Sequence, residues 1–111
     1  MLLLLLLPLA ALSTHCTESD RRIYTLRGHE FPALFRSYAG LTVSRTSYEE
    51  RIASEIGLSP SCAQCYGEAY ICGWNSCKWK CVSDGDVCNV CLGEYHCIEN
   101  CNQCTGLIPH K

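Results

Sequence analysis

The apolar positions follow three different rules along the chain. Met1–Leu12 is an unbroken apolar run of twelve residues, MLLLLLLPLAAL. A helix needs about 20 residues to cross a bilayer, so the run predicts the core of a secretory signal peptide over 1–16, with no Lys or Arg ahead of it. Between Thr17 and Leu58 the period becomes helical. Phe31, Leu34, Phe35 and Tyr38 recur at i, i+3, i+4 and i+7, with Pro32 near the start and Gly40 past the end. That predicts a helix over 32–39. Ser47-Tyr48-Glu49-Glu50 has the form of a capping box. Tyr48, Ile52 and Ile56 follow on one face and Gly57 suits the position after the last turn, predicting a helix over 48–56. Arg22-Ile23-Tyr24-Thr25-Leu26 alternates weakly and predicts a short strand.

From Ser59 onward the periodic residue is cysteine. Cys62, Cys65, Ala69 and Cys72 share one helical stripe, with Ser59-Pro60 as a start and Gly73 as a stop. Cys77 and Cys81 are one turn apart, with Asn75 or Ser76 as a fresh N-cap. Cys88 and Cys91 form a turn that Gly93 ends or bends, and Cys97, Cys101 and Cys104 make a further stripe. Asp84-Gly85 reads as a turn, and β-branched residues are sparse. The expected fold is small, all-α and disulfide-rich, with three or four short helices tied face to face by sulfur.

Composition divides the same regions. Eleven cysteines in 111 residues is the density of a disulfide scaffold. A chain this short gains little from a hydrophobic core alone. None of these cysteines lies in 17–58, and ten lie beyond it. The expected organisation is a signal peptide (1–16), a cysteine-free segment (17–58), a disulfide-rich module (59–106) and a tail (107–111). Two readings of 17–58 stand side by side: a propeptide, given the dibasic pair Arg21-Arg22, and a docking arm whose apolar helix faces pack on the module or on a partner. Nine basic against eleven acidic residues argue against nucleic-acid binding and against a polybasic membrane anchor. Membrane contact is expected only through a partner.

The module contains an internal repeat, 62–81 and 88–104. Both halves carry C-x2-C-x-G-E, at Cys62–Glu68 with one extra residue of slack later and at Cys88–Glu94. Each repeat holds five cysteines, so complete pairing needs at least one bridge between repeats, and the two halves form one stapled unit. Signal cleavage fits after Ser13 or after Cys16. Parity favours the second, which leaves an even ten: Cys62, Cys65, Cys72, Cys77, Cys81, Cys88, Cys91, Cys97, Cys101 and Cys104. Cys77-x3-Cys81 and Cys97-x3-Cys101 resemble the twin Cx3C arrangement of plant α-hairpinins and of the small chaperones of the mitochondrial intermembrane space. The resemblance implies two antiparallel helices joined by nested bridges, Cys77–Cys101 and Cys81–Cys97.

Catalytic chemistry finds no pattern in the chain. Cys62-x2-Cys65 and Cys88-x2-Cys91 have a plausible zinc spacing, but behind a signal peptide the same thiols are expected as disulfides. Cys62-x2-Cys65 at a helix start lacks the βαβ context of a redox motif. No cofactor, metal or catalytic residue is therefore expected. The candidate binding surface is Trp74 with Lys78-Trp79-Lys80, an exposed aromatic pair flanked by lysine that would serve a protein partner, a channel mouth or a membrane interface; the alternative is that the tryptophans cover the disulfides as a small core. The expected function is a secreted, non-enzymatic, disulfide-rich binding protein, an extracellular ligand or a defence or toxin-like protein, acting on a protein partner or receptor. The alternatives are a structural subunit docked on the lumenal or extracytoplasmic face of a membrane complex, and a zinc-binding module.

Overall fold

The computed structural model describes residues 15–42, 44–83 and 85–107. The apolar leader, Asp84 of the expected turn and the last four residues lie outside them. The described residues form α1 (Glu18–Arg27), a single 3-10 turn (Gly28–Glu30), α2 (Phe31–Leu41), α3 (Arg45–Ile56), α4 (Pro60–Ser83), α5 (Gly85–Glu94) and α6 (Cys97–Thr105). Among them there is no strand, and the small all-α disulfide-rich architecture holds.

The strand expected over Arg22–Leu26 is instead the middle of α1. A capping box starts that helix. The Thr17 hydroxyl accepts from the Asp20 amide at 3.1 Å, and the Asp20 carboxylate accepts from the Thr17 amide at 2.8 Å. Two orphan amides of the first turn are thereby served. Asp20, Ile23, Tyr24 and Arg27 then turn inward at i, i+3, i+4 and i+7, a helical period that the local alternation of 22–26 hides.

Helices α2 and α3 contain the segments their apolar periods predict, each extended by a residue or more. Ser44, not Ser47, is the N-cap of α3, its hydroxyl accepting from the Ser47 amide at 3.1 Å. Gly57 closes α3 in the left-handed region at φ +93°, as expected of a glycine after the last turn.

The largest departure is α4. Twenty-four residues run through the expected stop at Gly73 and the expected caps at Asn75 and Ser76, a rod of about 36 Å. Gly73 is there for contact. A Cβ at that position would stand 3.1 Å from Leu92 of α5, so the missing side chain lets the two helices approach.

The apolar core joins the two compositional regions. Phe31 and Tyr38 of α2, Tyr48, Ile52 and Ile56 of α3, and Leu58 pack with Cys62 and Ala63 of α4 and with Leu107. Rings continue the contact: Phe35 lies 4.5 Å from Tyr66, and Tyr48 stacks on Tyr70 at 4.5 Å. The apolar faces of 17–58 are thus buried against the first half of α4. Beyond Tyr70 the apolar core gives out, and sulfur takes over.

Candidate functional site

Four disulfides zip α4 to the chain that returns beside it. Cys81 pairs with Cys88, Cys77 with Cys91, Cys72 with Cys97 and Cys65 with Cys104. Their sequence separations of 7, 14, 25 and 39 residues show that each bridge encloses the one before it. All four link one repeat to the other, so the repeats form a single unit. The nested bridges that the twin Cx3C resemblance implies, Cys77–Cys101 and Cys81–Cys97, are not the ones formed. The fifteen residues that would link them hold helix α5, whose Cys88 and Cys91 meet Cys81 and Cys77 first.

A fifth bridge, Cys16–Cys62, ties the start of α1 to the first turn of α4. Cleavage after Cys16, favoured by parity, would discard a paired cysteine; cleavage after Ser13 keeps it. The odd thiol is Cys101, which the sequence placed among the paired ones. Register explains this. Seven residues separate Cys65 from Cys72, and seven separate Cys97 from Cys104, so the two outer bridges match turn for turn between antiparallel helices. Cys101 falls between them, beside Ala69 and Glu68 of α4, at a cavity of about 90 Å³ that both bridges line. Burial, with a smaller contribution from Glu68, pushes its thiol up to about 12. It is therefore protonated and a poor nucleophile at neutral pH.

Ala69→Cys should supply the missing partner. The variant is expected to form a sixth disulfide and lose its free thiol, counted by alkylation of the unfolded, unreduced chain. Two free thiols would show that Ala69 and Cys101 do not face each other.

The start of α4 is a junction of polar contacts. The Asp20 carboxylate accepts from the Ser59 amide at 2.7 Å and from the Ser59 hydroxyl at 2.6 Å, besides the Thr17 amide. The Ser61 hydroxyl donates to the His15 carbonyl at 2.7 Å, and the His15 amide donates to the Cys104 carbonyl at 2.9 Å. Two clusters of ligand-type side chains gather here, His15 with Cys65 and Cys104, and Cys16 with Asp20 and Cys62. Each contains a complete disulfide, so in the oxidised protein their sulfurs are not thiolate ligands. The zinc-spaced pairs fare the same way: Cys62, Cys65, Cys88 and Cys91 each bond a different cysteine.

The four residues of the candidate binding surface lie together on the distal half of α4. Cys77 and Cys81 face the returning helices, and Trp79, two residues from each, lies about 200° around the helix from both. It is 77% exposed and Trp74 51% exposed, so neither covers the disulfides as core. An aromatic column leads out to them. Tyr48 is 5% exposed and stacks on Tyr70, which lies parallel to Trp74 at 6.4 Å. The Lys78 ammonium stands 5.0 Å from the Trp74 ring and 5.1 Å from the Trp79 ring, a cation between two π faces. Lys80 is exposed too, about 200° around the helix from Lys78.

These features define a class: a small all-helical protein in which a ladder of disulfides replaces half of the hydrophobic core. Compared with protein-family models, with curated proteins and with solved structures, the chain finds no match. Five disulfides suit an oxidising compartment, and no helix among the described residues is long and apolar enough to cross a membrane.

Proposed function

We propose that this is a secreted or extracytoplasmic, non-enzymatic binding protein that presents Trp74, Lys78, Trp79 and Lys80 to its ligand. One observation carries the reading. Where sulfur fills the interior, apolar side chains are not needed inside, and the laddered half turns Trp74, Trp79, Val87, Val90, Tyr95 and Ile98 to the surface. Exposed aromatics on a covalently braced helix lose little conformational freedom on binding. The packing of 17–58 against α4 favours a retained segment over a discarded propeptide. It also speaks for a free protein over a subunit docked through that segment, since those apolar faces are already used within the chain.

The test is the intact mass of the secreted protein with and without reduction. Unfolded but unreduced, it should take up one alkyl group, at Cys101. After reduction it should take up eleven, because cleavage ahead of Cys16 keeps every cysteine. Several alkylations before reduction would remove the oxidised scaffold and bring the zinc-binding alternative forward.

A further inference from the structure

We propose that the outer face of the distal half of α4, built on Trp74, Lys78 and Trp79, binds anionic lipid headgroups at a membrane–water interface. This names the ligand class of the binding face proposed above and rests on that reading. It replaces the partner-mediated membrane contact expected from composition with a direct one.

Charge selects the occupant. From Tyr70 to Ser83 α4 carries two lysines and no acidic residue, although the chain as a whole has net charge −2. Lys78 therefore places its charge where the aromatic rings are most exposed. The rings suit an interface. Indole has a flat apolar body and one N–H donor, and it settles at headgroup level. Lysine complements it, with an apolar stem and a cation that reaches the phosphate layer. Held between two indoles, Lys78 is positioned so that rings and ammonium enter the same layer together.

Shape agrees with charge. Two cavities of the described residues lie elsewhere, one along α2 and α3 and one at Cys101, and neither is lined by Trp74 or Trp79. The tryptophans project from a rod, as suits a deformable surface. No described helix is long and apolar enough to cross a membrane, and the proposed contact is a peripheral, reversible one.

The protein provides its own probe. Its two tryptophans both belong to this face, so tryptophan emission, excited beyond tyrosine absorption, reports on nothing else. The full oxidised protein is titrated with vesicles of phosphatidylcholine, and of phosphatidylcholine with phosphatidylserine, and followed by emission and by co-sedimentation. The expected result is a blue shift with the anionic vesicles and roughly 5-fold tighter binding than to neutral ones, from ~1 kcal/mol for a lysine near an anionic surface. Lys78→Gln should abolish most of that preference. Trp79→Ala should weaken binding to both compositions while leaving Trp74 as reporter. Added salt should release the wild-type protein, a readout that needs no variant.

Absence of a shift with either vesicle overturns the proposal, as does equal binding to both. A shift with soluble polyglutamate and none with vesicles overturns it in favour of an acidic protein partner. None of these outcomes touches the mass measurement, so the secreted scaffold can stand while the lipid ligand falls.

Discussion

Replacing Cys16 and Cys62 together by alanine should lower the stability of the oxidised protein by about 4 kcal/mol, the loop-closure value for a separation of 46 residues. This bridge stands outside the nested set, and no other disulfide shortens the loop that it closes. The ladder is different. Removing Cys77–Cys91 leaves Cys81–Cys88 inside it and Cys72–Cys97 outside it, so only a ring of about a dozen residues is released, worth about 3 kcal/mol. Small domains have about 5–15 kcal/mol in total, so the first loss is a large share. Guanidinium midpoints of the two double variants, with unchanged slopes, measure it. A loss under about 1 kcal/mol for the Cys16/Cys62 variant would mean that packing of α1–α3 and the Asp20 junction hold the segment without the covalent tie.

Asp20→Asn should cost about 3 kcal/mol at neutral pH, since hydrogen bonds to a charged group contribute about 1.5–3 kcal/mol each and their losses are not additive. Asp20 is 1% exposed. Burial alone would raise its pKa, but the Ser59 hydroxyl and the amides of Thr17 and Ser59 outweigh that and hold the carboxyl below its ordinary 3.8. A carboxylate whose folded pKa is depressed contributes its full stability above the unfolded value. That contribution is lost as the pH falls through the folded pKa. The wild-type protein should therefore weaken progressively below about pH 4, and the asparagine variant should lack that part of the acid limb. Urea midpoints from neutral pH down to strong acid decide it; parallel curves would mean that Asp20 is not the group that titrates.

Sequence period revealed α2 and α3 because Phe31, Leu34, Phe35 and Tyr38, and then Tyr48, Ile52 and Ile56, meet a core that these helices themselves make. Helix α1 escaped because its inward face is a buried aspartate and two partly buried apolar residues, while Ile23, Thr25 and the tyrosine between them imitate a strand. The readable signal was Thr17 followed three residues later by Asp20. Gly73 was taken for a stop because glycine usually is one; only the position of Leu92 reveals its steric purpose. The cysteine stripes were legible, but the pairing was not, because it depends on the register between two helices. The matched seven-residue steps, 65–72 and 97–104, carry that register, and an even count of ten concealed it by including Cys101 and discarding Cys16. Lysine and tryptophan on α4 could be placed outward by helical angle alone, but what they meet could not.

The pairing of the ladder also sets how the protein can be made. Because every bridge encloses the previous one, oxidation can begin with the seven-residue closure at Cys81–Cys88 and advance outward. Each new bond then joins ends that the last one has brought close, and the entropy of each closure stays that of a short loop. No strand has to thread through a ring already sealed, and no correct bond has to be undone to admit the next. In an oxidising compartment the hairpin can therefore guide its own assembly. Cys16, first to emerge in the chain and bonded outside the nest, is the one cysteine that must wait for a partner 46 residues downstream.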